Sequence, residues 1–330
     1  MKLPAELASA TEQETVSIDP KQLARAAEEL SQQYRSGSAA KVLDSPIQQA
    51  AYLLTRMPAT FAACWAVLGE IAQRMPGTNF PTMLDLGSGP GTAAWAATHR
   101  FPTLQKITLV ERELGVIATG RRLAAEADSA ALRSAEWICA DFAALDSGQA
   151  YDLVVMAYAF GELDPPKRPR LLARAWQQTR LALAIIEPGT PRGYKIVLDA
   201  REQLIATAVP NKAYLVAPCP HERGCPMAGT HDWCHFAQRL ERSSLHRRLK
   251  AGSLGHEDEK FSYVILSREA SQPVEARIVR HPIQAKGHVK LELCVKEGLK
   301  QTTITRSQGE VFRRARKAKW GDEWRGAAEV

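Results

Sequence analysis

Between Pro81 and Ile186 the chain alternates short apolar runs with stretches whose apolar residues recur every three or four positions. The runs are Met83 to Leu86, Ile107 to Val110, Trp137 to Ala140, Leu153 to Met156 and Leu181 to Ile186. Near-continuous apolar strands separated by amphipathic helices signal a parallel sheet covered on both faces, the doubly wound α/β arrangement. Upstream the pattern is helical. After a polar leader, Asp19-Pro20 opens a helix through Tyr34, and Asp44-Ser45-Pro46 supplies the cap and first turn of a second that ends near Met57-Pro58. Phe61, Cys64, Trp65, Leu68 and Ile71 then mark the buried stripe of a third, from Ala59 to Arg74, which makes Cys64 a core residue. Downstream, FSYVILSR (Phe261 to Arg268), ARIVRHP and HVKLELCV predict further strands, the last two in a small β-rich tail. The predicted organisation is an N-terminal helical region (1–76), a sheet domain (77–270) and a β-rich C-terminal extension (271–330).

The first predicted strand runs into LDLGSGPGT, Leu84 to Thr92, and then the helical run TAAWAATHR. Gly87, Gly89 and Gly91 let the backbone pass close to a ligand and aim free N–H groups at it. Glu111 ends the next strand about 20 residues later, a position suited to paired ribose hydroxyls. Asp141-Phe142, after the third strand, is placed to meet an adenine amino group and pack against its ring. The third glycine of G-x-G-x-x-G is missing, which argues against a nicotinamide dinucleotide. With Asp85 the loop reads DxGxGxG, and with these acids it resembles that of class I S-adenosylmethionine-dependent methyltransferases. No Asn/Asp-Pro-Pro-aromatic motif follows the fourth strand. Asp164-Pro165-Pro166 lies too far on and reads as a helix-starting turn. No general base stands out.

Six cysteines are present, and four are distributed like ligands: Cys219, Cys225 and Cys234 in PCPHERGCPMAGTHDWCHF, and Cys294 in KLELCVKEG. Cys294 shares the polar face of its predicted strand with Lys290, Glu292 and Lys296, away from Val289, Leu291, Leu293 and Val295. A thiol meant for the core would join the valines and leucines. The C-x5-C-x8-C spacing is wider than a zinc knuckle, so an iron–sulfur cluster leads, with zinc as the alternative in which His221, His231 or His235 replaces a cysteine. Cys139, in WICAD, reads as sheet core.

Charge changes the picture for the C-terminal part alone. Residues 1–200 hold 20 Lys/Arg against 21 Asp/Glu, whereas residues 201–330 hold 23 against 15. Localised basicity is the footprint of a polyanion partner, and nucleic acid is the leading candidate. FAQRLERSSLHRRLK, read as a helix, carries Arg239, Arg242, Arg247, Arg248 and Lys250. FRRARKAKWGDEW adds Arg313, Arg314, Arg316, Lys317 and Lys319 beside Phe312, Trp320 and Trp324, a mix of phosphate contacts and stacking surfaces. No apolar run approaches the roughly 18 residues that span a bilayer, so no membrane partner is expected. The N-terminus lacks both a signal h-region and an Arg-rich transit pattern, which predicts a cytoplasmic protein.

Taken together, AYLLTRMPATFAA, LDLGSGPGTAAWAA, IIEPGTPRGYKIVLDAR, PCPHERGCPM, DWCHF, GHVKLELC and ARKAKWGD resemble one family from about Tyr52 to Trp324. It is the methyltransferase-like family associated with the small ribosomal subunit, which includes a mitochondrial assembly factor and bacterial relatives. The resemblance implies a class I methyltransferase-type doubly wound sheet with an N-terminal helical cap and a cysteine-rich metal-binding insertion at 218–236. Its implied cofactor is S-adenosylmethionine, held by Asp85, Gly87, Gly89, Gly91, Glu111, Asp141 and Phe142. It also implies a [4Fe-4S] cluster on Cys219, Cys225, Cys234 and Cys294 and binding to small-subunit rRNA; a monomer is expected. Two functions fit this set: an rRNA methyltransferase, or a catalytically inactive assembly factor.

Overall fold

The computed structural model describes residues 1–36, 43, 45–145, 148–207, 212–242, 255–271 and 273–326. Four helices come first: α1 (Ala5–Thr15), α2 (Pro20–Ser36), α3 (Pro46–Thr55) and α4 (Met57–Arg74). Ser45 caps α3 as expected, its hydroxyl accepting the Gln48 N–H at 3.2 Å. The leader read as merely polar is itself α1, because Leu7 and Ala10 are spaced to bury one stripe against the core. Helix α4, expected from Ala59 to Arg74, packs across the sheet rather than capping it: Phe61, Ala63, Cys64, Val67, Leu68 and Ile71 all enter the main core.

The sheet uses β1 (Thr82–Leu86), β2 (Lys106–Glu111), β3 (Glu136–Cys139), β4 (Tyr151–Ala157), β5 (Thr179–Pro188), β6 (Tyr214–Ala217), β7 (Phe236–Glu241) and β8 (His256–Ser267). Its order is β3-β2-β1-β4-β5-β8-β6, with β7 also on β8. β1 to β5 are parallel, while β8 runs antiparallel to β5, β6 and β7. This is an α/β fold with a mixed sheet. Helices α5 (Thr92–Arg100), α6 (Leu114–Ala125) and α7 (Ala130–Arg133) cover one face beside α4, and α8 (Arg168–Gln177) and α9 (Pro191–Ile205) cover the other. Pro165–Lys167 forms a short 3-10 turn into α8, as the Asp-Pro-Pro reading requires. β3 is an edge strand, so Cys139, expected in the sheet core, is exposed.

The segment FAQRLE, expected as helix, is strand β7. Phe236 and Leu240 are its buried residues, and a spacing of four fits either period. The open edge of β8 decides between them, pairing Phe236 with Phe261 and Leu240 with Glu257. Arg239 therefore forks onto Asp258 at 2.8 and 2.8 Å, and Arg242 onto Glu257 at 3.1 and 2.8 Å. Arg247, Arg248 and Lys250 lie outside the described residues.

A second sheet holds β9 (Ala276–Ile278), β10 (Ile283–Ala285), β11 (His288–Val295) and β12 (Gly298–Thr305), followed by α10 (Glu310–Lys317). Val289, Leu291, Leu293 and Val295 face its core with Ile304 and Trp324. The aromatic residues expected to offer stacking surfaces turn inward instead. Trp324 is buried under the Arg314 guanidinium at 4.6 Å, Phe312 packs on the small core, and Trp320 lies edge-on to His235 and His281. Arg313, Arg314, Arg316, Lys317 and Lys319 stay exposed on and beside α10. Among the described residues no single helix is long and apolar enough to cross a membrane.

Candidate cofactor cleft and cysteine cavity

A cleft of about 720 Å³ opens at the carboxyl ends of the parallel strands, the usual ligand site of an open α/β sheet and a volume suited to a cofactor. Gly87 and Ser88 donate to the Val110 carbonyl at 2.9 and 3.0 Å, which sets the tight exit from β1. The three glycines then differ in role. A Cβ at Gly87 would meet the Ala159 Cβ at 2.4 Å, so this glycine is required by packing. At Gly89, with φ of +53°, the only atom among the described residues beyond its chain neighbours within 4 Å of an added Cβ is the Tyr52 hydroxyl at 3.9 Å, so its backbone lies open to the cleft. Gly91, in the left-handed region with φ of +85°, starts α5 against Trp137 and is not part of the cleft lining.

Glu111 binds the loop directly, one oxygen accepting the Gly89 N–H at 3.0 Å and the other those of Arg112 and Glu113. Asp141 and Phe142 line the same cleft, Asp141 also accepting the Ala143 N–H at 2.8 Å. Asp85 is buried beneath them, and its Oδ2 has no hydrogen-bond partner among the described residues. Burial, then the charge of Glu111, pushes its carboxyl up to about 8 from an ordinary 3.8. Over this window the folded state holds a proton that the unfolded chain has released, so stability falls as pH rises. Buried Glu187 acts in the same sense, pushed up to about 7 chiefly by burial; Glu162 is raised to about 7 as well, but its side chain is exposed and solvent screens its contribution. Melting of the ligand-free protein should therefore occur at lower temperature at about pH 8 than at about pH 6, with a smaller difference in Asp85→Asn. An unchanged difference in that variant would refute the assignment.

The far end of the cleft holds residues that sequence reasoning passed over. Tyr158, just past β4, sits at a φ of +59°, unusual for a bulky residue. Its hydroxyl donates to Glu259 at 2.8 Å, and Glu259 pairs with Arg56 at 3.4 Å. Glu187, near the end of β5, accepts the Gly161 N–H at 2.8 Å. Their position at the carboxyl ends of β4 and β5 was the available signal.

The four candidate cysteines come from distant segments to one small cavity. Arg201 holds the β6–β7 loop by donating to the His221 and Arg223 carbonyls at 2.8 and 2.7 Å, and Arg277 donates to that of Pro218 at 3.1 Å. Cys294, on the polar face of β11, is only 9 % exposed because this loop covers it. Burial, reinforced by neighbouring thiols, pushes Cys219 and Cys234 up, and Cys294 up to about 12. His221 lines the cavity, whereas His231 is exposed and His235 stacks on Trp233. Among the described residues no three His, Cys, Asp or Glu side chains converge as metal ligands do, so the expected metal-binding insertion is not supported.

Comparison with known proteins adds the family. Ribosome assembly protein METTL17, mitochondrial, from Homo sapiens is 29% identical over 287 residues, covering 82% of this chain and 61% of its own. Rsm22-cox11 tandem protein 2, mitochondrial, from Schizosaccharomyces pombe is 24% identical over 325 residues, covering 83% of this chain and 43% of its own. The chain thus spans less than two thirds of either relative's length. Among solved structures, magnesium protoporphyrin IX methyltransferase from Synechocystis PCC 6803 with bound SAM aligns at a TM-score of 0.41 and 8% identity, over 72% of this chain and 90% of that one. The cytoplasmic expectation is overturned, since these curated relatives are named as mitochondrial. The family described as "Mitochondrial small ribosomal subunit Rsm22" matches residues 46–325. With that match across most of its length, the chain belongs to the mitochondrial small ribosomal subunit Rsm22 family.

Proposed function

We propose that this protein assists assembly of a small ribosomal subunit, holding S-adenosylmethionine in the cleft and a [4Fe-4S] cluster in the cysteine cavity. The observation that carries the reading is the cleft itself: the open backbone at Gly89 and Asp85, a buried carboxyl whose Oδ2 lacks a partner among the described residues, line it together in a chain of the Rsm22 family. A cationic ligand satisfies that oxygen. Glu111 is placed for ribose hydroxyls, and Asp141 and Phe142 for the adenine. The all-sulfur donor set of Cys219, Cys225, Cys234 and Cys294, which line one cavity, fits a cluster. When bound, the cluster supplies positive charge that keeps these buried sulfurs as thiolates.

In this reading residues 77–270 hold the cofactor and residues 271–330 supply the fourth cysteine and the RNA-facing charge. Arg313, Arg314, Arg316, Lys317 and Lys319 form the phosphate-contacting surface of a monomer. Arg239 and Arg242 contribute less, since each already holds a carboxylate, as Arg313 does with Glu310 within α10.

A second reading, rRNA methyl transfer, is favoured by Glu187 and Glu162. Carboxyls held near 7 at the end of the cleft are matched to accepting a proton from a nucleophile near neutral pH. Anaerobic protein, tritiated S-adenosylmethionine and immature small subunits from cells lacking the gene separate the readings. Co-sedimentation without label in the RNA supports the assembly reading, label in the RNA supports catalysis, and no co-sedimentation refutes both.

A further inference from the structure

The cleft and the cysteine cavity share one wall. Pro188, Thr190, Pro191, Arg192 and Gly193 line the cleft as the chain leaves β5 and enters α9. The same stretch is gripped from behind by the cysteine loop. Trp233 donates its indole N–H to the Gly189 carbonyl at 3.0 Å, and the Tyr194 hydroxyl donates to the Cys225 sulfur at 3.2 Å. Tyr194 also packs on the small apolar cluster of Met227, Val279 and Cys294.

This wall has little freedom to absorb a displacement. Thr190 caps α9 by accepting the Gly193 N–H at 3.1 Å. A Cβ added at Gly193 would lie 2.0 Å from the Pro188 carbonyl oxygen, and one at Gly189 would lie 2.7 Å from the Lys260 backbone. Tyr194 follows directly on Gly193, so whatever fixes Cys225 fixes the first turn of α9, which forms the cleft side. Close-packed elements pass such a shift on instead of dissipating it.

We infer that Tyr194 is a positioning residue through which the cysteine cavity and the cofactor cleft stabilise one another's occupants. The inference rests on the reading above, in which the cavity takes a cluster and the cleft takes S-adenosylmethionine. Coupling between two binding sites is reciprocal and is typically about 5- to 150-fold. Cofactor binding must then retain the cluster, just as the cluster tightens the cofactor.

The test uses anaerobically loaded protein with S-adenosylhomocysteine as the probe. Visible absorption first reports whether a cluster is present, and calorimetric titration reports whether the probe binds. Failure of either overturns the proposed function, and the inference with it. Bleaching of the absorption by an iron chelator is then followed with and without saturating probe, a comparison that needs no folded cluster-free protein. Severalfold slower bleaching with probe is expected in the wild type, with less than about a twofold effect in Tyr194→Phe, well below the usual coupling range. Equal bleaching rates in the wild type overturn the coupling. Equal slowing in wild type and Tyr194→Phe overturns the role of Tyr194. A tyrosine that only stabilised the fold would speed bleaching in the variant without altering the ratio between the two conditions.

Discussion

Arg277→Ala should destabilise the protein by about 3–5 kcal/mol, the usual consequence of removing one partner of a buried charge pair. Arg277 is 1 % exposed, and its guanidinium binds both oxygens of Glu70 at 2.9 and 2.8 Å. It also donates to the carbonyls of Pro218 at 3.1 Å and Gly321 at 2.6 Å. One side chain thus ties α4, the start of the cysteine loop and the C-terminal segment together. Burial pushes the Glu70 carboxyl up, but the hydrogen bonds and charge of Arg277 and Arg74 outweigh it and hold the carboxyl below its ordinary range. This pairing contributes stability above the unfolded carboxyl's pKa and loses it as pH falls through the lower folded value. In the alanine variant Glu70 retains Arg74 alone, and the loop carbonyl at Pro218 loses its donor. Urea unfolding at neutral pH measures the effect, and a midpoint equal to the wild type's would refute the bridging role. Lysine should restore only part of the loss, because a single ammonium cannot reproduce the fork onto Glu70 while reaching two further carbonyls.

Cys294→Ser should give an unstable protein without visible absorption. Cys294 lies under the β6–β7 loop against Met227 and Val279, so the substitution removes a ligand of the proposed cluster and places a hydroxyl among apolar neighbours. With no metal bound the cavity confines four thiols, three of them pushed up by burial and by one another. Thiols in that state contribute no bonds across the loop, and β11 loses its tie to Cys219, Cys225 and Cys234. Cys219→Ser should behave alike. Cys139→Ser is the control: its sulfur is exposed, donating only to the Arg112 carbonyl at 3.4 Å, and both colour and melting temperature should be retained. Absorption spectra and thermal melts of anaerobic protein decide the matter. A Cys294→Ser protein that melts with the wild type would refute a structural role for the cavity.

The two sites were legible to different degrees. The glycine loop, Glu111, Asp141 and Phe142 are local signals, each at the end of an apolar run, and β1 to β4 bring them to one cleft as their order implied. Glu162, Glu187, Tyr158 and Glu259 carry no such signature. Acids and tyrosines are common at strand ends, and only the juxtaposition of β4, β5 and β8 sets these against one another. The same holds for the aromatic residues near the C-terminus, whose spacing is equally compatible with exposure. Their burial follows from the apolar face of the second sheet, which Trp324 covers.

What the sequence determined by itself was every feature written in a local pattern. The apolar runs fixed the parallel strands, Ser45-Pro46 fixed a helix start, and alternation put Cys294 on the face opposite Val289, Leu291, Leu293 and Val295. What the tertiary structure decided was every feature that depends on a partner from elsewhere in the chain. Phe236 and Leu240 became strand residues because β8 offered an unpaired edge, and Arg239 and Arg242 gave up free charge because Asp258 and Glu257 stand opposite. The wall shared by cleft and cavity exists because Tyr194 and Cys225, 31 residues apart, meet across α9. Periodicity reports a residue's own preference for water or core, but backbone pairing, ion pairing and cavities belong to two segments at once, and the energy that selects them appears only when both are in place.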